Sequence, residues 1–285
     1  MTKTMVTGAN GRLGGRLAEL LRAQGQAVAA SDVDTLDITD FAAVRDYVRA
    51  EKPDLVLHPA AWTDVDGCAL DPDKALRINA LGAQNVAVAA YDVGAPIVYI
   101  SSNEVFSGVS GSPYREYDTP GPVNPYGMSK LAGERAVAAV NPRHYIVRTA
   151  WLFAHGGRNF LHAIINAASA GKPLRVVSDE VANPTYNDDL ADALLALTAT
   201  GRFGTYHLTN AGACSRYAFA RYTLDRAGLG HVPIEAITRH QWSRPSTPPQ
   251  YCALKNLAGE SLGIRLRPWQ EAVDAFLARE GLLAG

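Results

Sequence analysis

Near the N-terminus a short apolar run, Lys3-Thr4-Met5-Val6-Thr7, leads straight into Gly8-Ala9-Asn10-Gly11-Arg12-Leu13-Gly14 and then an amphipathic stretch to about Ala23. Strand, glycine turn, helix: few other arrangements constrain a fold as strongly. A first glycine permits a tight turn, and a second lets backbone amides approach a pyrophosphate at the helix N-terminus. A third lets the helix pack closely on the strand. Gly8, Gly11 and Gly14, with Asn10, Arg12 and Leu13 between them, are therefore candidate dinucleotide-binding residues. A second strand, residues 27–31, ends at Asp32, and an acid about 20 residues after the glycines is placed to hold the adenosine ribose. Asp32 would accept from a ribose 2′-hydroxyl and repel a 2′-phosphate, which favours NAD over NADP. Arg12 keeps NADP open, since a guanidinium in the turn could reach a phosphate.

The alternation continues with a helix over 41–50, a strand over 54–58, a helix opened by Asp71-Pro72 and running to about Tyr91, and a strand over 97–100. Asn79 in that helix is either a buried brace or a surface residue. The strand over 97–100 delivers Ser101-Ser102-Asn103-Glu104 to the carboxyl edge of the sheet, where ligands bind in such folds. A Gly-, Pro- and Ser-rich loop over 107–125 follows, and then a helix carrying Tyr126-Gly127-Met128-Ser129-Lys130. Tyr126 and Lys130 are four residues apart and share a helix face. A phenol trades protons poorly near neutral pH, and a neighbouring ammonium is expected to lower its pKa and make it a usable acid or base. Ser102 could hydrogen-bond a substrate carbonyl.

A strand over 144–148 returns to the sheet, so the pattern predicts an α/β, Rossmann-like, doubly wound parallel sheet. Residues 1–150 form the expected dinucleotide-binding domain. Residues 151–285 are read as mainly a smaller substrate-binding lobe: helices over 159–170 and from near Asp188, strands over 174–177 and 205–208, and helices over 217–227 and 269–279. Some of these elements are expected to return to the main sheet.

With 285 residues, 47% hydrophobic, the chain can bury a large core. A net charge of -1 without like-charge runs gives no attraction to nucleic acid or anionic membranes. Partners should be small molecules or protein subunits, a homodimer among them. Cys68, Cys214 and Cys252 lack paired spacing, and the seven histidines lack ligand spacing, so no metal is expected. Unpaired cysteines and the lack of a signal-peptide layout or long apolar run make the cytoplasm the expected location.

Several blocks resemble the extended short-chain dehydrogenase/reductase superfamily, and within it the dTDP-4-dehydrorhamnose reductase family. They are the glycine turn, Ser102, Tyr126-x-x-x-Lys130, Leu36-Asp37-Ile38-Thr39-Asp40, Ala60-Ala61-Trp62-Thr63-Asp64, Val123-Asn124-Pro125, Arg148-Thr149-Ala150-Trp151, Asn183-Pro184-Thr185 and Ser243-Arg244-Pro245. The resemblance implies that Tyr126 donates the proton, Lys130 tethers the nicotinamide ribose, and Ser102 replaces the usual threonine while keeping a hydroxyl. Asp37 and Ile38 would lie near the adenine, with Ala60, Ala61 and Thr63 lining the cofactor. Trp151, Asn183, Thr185 and Arg244 would face the nucleotide-sugar, with Asn103 and Glu104 beside it.

The implied activity is reduction, by NADH or NADPH, of a nucleotide-linked 4-keto-6-deoxy sugar. Three positions depart from the family pattern. Asn103-Glu104 stands where Asp-Tyr is usual, and the related 4,6-dehydratases carry Asp-Glu there, the glutamate serving elimination. His58-Pro59 replaces a usual asparagine, which could alter hydrogen bonding beside the cofactor, and Ser246-Thr247 replaces Asn-Ser. Two other readings therefore stand beside reduction. One is a dehydratase or epimerase that uses NAD transiently. The other is a non-catalytic NAD(P)-binding regulatory subunit, similar to that of methionine adenosyltransferase.

Overall fold

A computed structural model describes residues 2–157 and 159–284. The apolar runs form β1 (Lys3–Thr7), β2 (Ala27–Ser31), β3 (Leu55–His58), β4 (Ile97–Ser102) and β5 (His144–Thr149), and β6 (Gly204–His207) joins them from the C-terminal half. All six are parallel, in the order β6-β5-β4-β3-β1-β2. From β1 the chain passes outward to β2 and then back to β3 on the opposite side. That reversal opens a crevice at the carboxyl ends of the strands.

Helices cover both faces. Side chains alternate along a strand, so Val6 of β1 packs with Leu13, Leu17 and Leu21 of α1 (Arg12–Ala23) and with leucines of a later helix, Asn187–Ala199. Met5 turns to the other face, against Val44 and Val48 of α2 (Phe41–Glu51), Val86 of α3 (Ala83–Asp92) and Val137 of α4 (Pro125–Val140). Each such side chain contributes about 1.5–3 kcal/mol when fully buried. This is the Rossmann-like fold the alternation predicts, with smaller strands and helices added from the C-terminal half.

A third core joins α5 (Phe160–Ser169), α7 (Arg216–Arg226) and α8 (Trp269–Arg279) through Phe153, Leu161, Phe219, Trp269 and Phe276, with α6 (Asn187–Ala199) lying between α5 and α7 in sequence. Two of its strand pairs, Leu152–Phe153 with Thr185–Tyr186 and Val181–Ala182 with Cys214–Ser215, have only two residues per strand and so no readable periodicity. Leu174–Val177 does form, and pairs in parallel with Ile234–Ile237.

The helix expected over 71–91 is not uniform. A turn at Pro72–Leu76 passes into a π-helical stretch, Arg77–Gly82, before α3 begins. Asn79 sits in that stretch, fully buried: its Oδ1 accepts from Trp62 N (2.8 Å), and its Nδ2 donates to Trp62 O (3.0 Å) and Ser129 Oγ (3.0 Å). It is thus a buried brace, tying the loop after β3 to α4. Among the described residues no helix is long and apolar enough to cross a membrane, and all three cysteines are buried thiols.

Candidate active site

Two cavities lie end to end along the carboxyl edge of the sheet. One of about 580 Å³ holds Ser102, Tyr126 and Lys130; the other, about 710 Å³, holds Asp32, Asp37 and Ile38. Gly8, Gly11, Pro59 and Ala61 line both, so the glycine turn is the shared wall. Backbone geometry explains the third glycine, since a Cβ on Gly14 would lie 2.2 Å from Gly8 O. Asn187 of α6 donates from Nδ2 to Arg12 O (3.2 Å), fixing the turn from the far side.

Asp32 stands half-buried beside the second cavity, but its carboxylate is already engaged. Oδ2 accepts from Asn10 N (2.8 Å) and Oδ1 from Val33 N (2.7 Å), so it ties the glycine turn to the end of β2. Lys74 and Arg77 line the same cavity and supply positive charge there. The carboxylate expected to favour NAD is thus part of the backbone scaffold and shares its cavity with two cations. Asp37 lines this cavity, its Oδ1 accepting from Thr39 N and Oγ1 (2.8 Å each), together with Ile38, Asn10 and Ala60.

The other half is built on α4. Asn124 caps the helix, its Oδ1 accepting from Gly127 N (2.8 Å), while its Nδ2 donates to Glu104 Oε2 (2.7 Å). Gly127 lets the first turn lie against the backbone of Glu104, where a Cβ would come within 2.0 Å of the carbonyl oxygen. Deeper in, Glu134 accepts from Ser101 Oγ (2.5 Å), Arg148 Nε (2.8 Å) and Arg148 Nη2 (2.7 Å), clamping α4 onto β4 and β5. The result sets Tyr126, Lys130, Ser102, Asn103, Glu104 and Thr63 around one cavity, with Gly11, Arg12, Leu13 and Trp151.

The electrostatics differ from the expectation that Lys130 lowers the pKa of Tyr126. Burial and the Glu104 carboxylate push the phenol well above its usual value, opposed by the Ser102 hydroxyl. Burial pulls Lys130 down to about 7, opposed by Glu134, and its ammonium packs 4.4 Å from the centre of the Tyr99 ring. Both groups stand in apolar surroundings that disfavour charge on either. A phenol held protonated is in the state a proton donor needs. Glu104 is itself raised by burial, with Asn124 pulling the other way.

His58, the departure at the end of β3, is buried with Nδ1 bonded to Thr7 Oγ1 (2.7 Å), while its Nε2 has no partner among the described residues. Burial and nearby Lys130 pull its pKa down to about 3, so it stands neutral. Asn103 lines the cavity, but its Nδ2 donates to Cys252 O (3.0 Å), joining β4 to the C-terminal half.

Three residues expected to face the nucleotide-sugar do not line the cavity. Asn183 is buried, accepting from Leu254 N (2.7 Å) and donating to Gly212 O (2.7 Å) and Leu254 O (3.3 Å). Thr185 is wholly enclosed, its hydroxyl donating to Asn183 O (3.3 Å). Arg244 pairs through Nε with Asp66 Oδ1 (2.9 Å) outside the lining. Thr185 reaches the cavity wall only through its backbone: Trp151 O accepts from Thr185 N (3.2 Å), and the Trp151 φ of 40° is a conformation a bulky residue rarely adopts. Conversely, Phe160, Asn187, Phe219 and Arg216 line the cavity without any sequence signal: the third core brings Phe160, Phe219 and Arg216 there, and the packing of α6 on α1 brings Asn187. Asn124 lay in a recognised block, and its place before Pro125 is a cap signal that could have been read.

The family model described as RmlD substrate binding domain matches residues 2–281. The chain is 39% identical to the spore coat polysaccharide biosynthesis protein SpsK of Bacillus subtilis, covering 97% of each chain. It is 40% identical to a dTDP-4-dehydrorhamnose reductase of Streptomyces griseus, covering 94% of this chain and 91% of that one. The crystal structure of dTDP-4-dehydrorhamnose reductase from Bacillus anthracis, in complex with NADP, superposes with a TM-score of 0.94 at 35% identity, covering 98% of this chain and all of that one. With its glycine turn, its Tyr126 and Lys130 and this full-length likeness, the chain belongs to the RmlD substrate-binding domain family of dTDP-4-dehydrorhamnose reductases.

Proposed function

We propose that the protein is an NAD(P)H-dependent reductase of a nucleotide-linked 4-keto-6-deoxy sugar, dTDP-4-dehydrorhamnose being the substrate that its relatives' activity suggests. The observation that carries this reading is the convergence of Ser102, a protonated Tyr126 and Lys130 in a cavity that shares its wall with the glycine turn. The paired cavities suit a dinucleotide. Gly8, Gly11 and Gly14 would take its pyrophosphate and Asp37, Ile38 and Ala60 its adenosine half, while Ala61, Thr63 and Lys130 would hold the nicotinamide ribose end. The reduced dinucleotide would supply a hydride to the keto carbon. Ser102 orients and polarises the keto oxygen, Tyr126 protonates it, and Lys130 steadies the phenolate left behind. The elements after residue 150 other than α6 and β6, which belong to the main sheet layer, mainly close the substrate side as a lobe.

NADH and NADPH are expected to compete more evenly than Asp32 alone implies, since Lys74 and Arg77 offset its charge. Mixing the protein with either reduced dinucleotide and a panel of nucleotide 4-keto sugars, and following cofactor oxidation, tests the activity. Tight cofactor binding with no oxidation above background would sink it. Glu104 favours a second reading, because a carboxyl of raised pKa beside Tyr126 could serve transient-cofactor elimination. That reading requires conversion of the sugar without net consumption of added NADH.

A further inference from the structure

Three cationic side chains line the cavity of Tyr126: Arg12, Lys130 and Arg216. Arg12 belongs to the glycine turn and Lys130 to the helix of Tyr126, both on the cofactor side. Arg216 comes from the opposite wall, as the first residue of α7.

Its side chain is held before any ligand arrives. Nε donates to Glu180 Oε2 (3.0 Å), and Glu180 is itself buried. The guanidinium carbon lies 4.1 Å from the centre of the Trp151 ring and 5.9 Å from that of Phe160. One N–H and one flat face are thus committed, while Nη1 and Nη2 make no hydrogen bond to other described residues, and the side chain is about a quarter exposed. A guanidinium fixed at Nε with both terminal nitrogens open is a preformed fork for two oxygens of one anion. The Nε pairing also offsets the Glu180 charge that would otherwise repel that anion.

We propose that Arg216 binds the diphosphate of the nucleotide-sugar, with Trp151 and Glu180 as the residues that position it. This rests on the reading that the substrate is nucleotide-linked. It moves the substrate-side arginine from position 244, which does not line the cavity, to a residue that does and that sequence patterns left unassigned. The ligand class is an organic diphosphate, and the fork reads its phosphoryl oxygens whatever the base.

The test measures binding, not turnover. With the protein saturated in reduced dinucleotide, so that the cofactor site is filled, calorimetry compares thymidine diphosphate with thymidine, and uridine diphosphate with uridine. The wild type is expected to prefer each diphosphate by about a hundredfold or more, as a charge-assisted bidentate pair supplies. Arg216→Met should shrink that ratio below about tenfold and Arg216→Lys should restore part of it, with dinucleotide affinity unchanged within about twofold. A folded Arg216→Met variant that keeps the ratio overturns the proposal. If that variant does not fold, the wild-type ratio still decides, since no preference for the diphosphate also overturns it. A normal ratio with no reduction of any 4-keto sugar would refute the functional reading and leave this site standing; turnover with an unchanged ratio in Arg216→Met would do the reverse.

Discussion

The tyrosine edge of the sheet and the segment from Asn183 to Thr185 were both marked in the sequence as facing substrate, yet the fold places them differently. Tyr126, Ser102 and Lys130 line a cavity, where Ser102 Oγ also donates to Asn103 Oδ1 (3.3 Å) and accepts from Glu104 N (3.2 Å). Asn183 and Thr185 use their polar atoms on protein backbone, Asn183 on Gly212 and Leu254 and Thr185 on Asn183 itself, while Thr185 N bonds the carbonyl of the strained Trp151. A family block can therefore mark a residue that meets the ligand or one that holds up the wall behind it. What separates the two is whether the residue lines the cavity.

The largest expected effect breaks the tyrosine side. Tyr126→Phe removes the proposed proton donor and should lower kcat by about 10²–10⁴-fold, the usual range for losing a general acid, with the unfolding midpoint hardly changed. Turnover left intact would exclude Tyr126 as the acid. On the other side, Asn183→Ala leaves the buried N–H and C=O of Leu254 without these partners, at about 1–3 kcal/mol of stability. Denaturant unfolding should show that loss while kcat stays within a few-fold. A fall in kcat as deep as that of Tyr126→Phe, in a fully folded variant, would erase the distinction between edge and brace.

How far the sequence could be read follows the same division. The strands, the glycine turn and the helix carrying Tyr126 were legible because period-2 runs, glycines and a Tyr-x-x-x-Lys spacing are local and tie directly to sheet topology. The π-helical stretch around Asn79 was not, since the side-chain bonds it carries reach Trp62 and Ser129, which lie far away in sequence. Arg216 was invisible for a similar reason, as its place depends on the packing of Phe153, Phe219 and Trp269 from three separate segments. The pKa of Tyr126 was misjudged because spacing shows which groups are close but not how dry their surroundings are.

That dryness can be tested through pH. Burial holds Lys130 near 7 in the fold against its ordinary 10.5 when unfolded, so between those values the unfolded chain binds the extra proton. This group's contribution to stability should therefore rise with pH from about 7 to about 10.5, and be lost as pH falls back through 7. Chemical denaturation of the ligand-free protein against Lys130→Met isolates it. A difference between the two that is flat across this window would mean that Lys130 is not desolvated.

Glu104→Gln sharpens the chemistry of the tyrosine edge more gently. The carboxylate raises the phenol of Tyr126, so its removal should bring that pKa down and move the alkaline limb of the kcat profile to lower pH, while reduction persists. Asn124 can still donate to the amide oxygen, which preserves the helix cap. An unmoved limb would mean that the two groups do not communicate, and loss of a cofactor-neutral elimination with reduction spared would assign Glu104 to the second reaction.

The smallest effect expected lies at the adenosine end, where Asp32 joins the features of both regions: it lines a cavity, and its carboxylate also braces backbone. Asp32→Asn removes one charge from a half-exposed site, which is worth roughly three- to tenfold in the ratio of NADPH to NADH affinity, in favour of NADPH. An amide has only one acceptor oxygen, so one of the two backbone bonds to Asn10 and Val33 is also lost and both affinities should fall together. Titrating each dinucleotide separates the parts, because the charge moves the ratio and the brace moves the product of the two affinities. A changed product with an unchanged ratio would place Asp32 wholly with the braces and leave cofactor choice to Lys74 and Arg77.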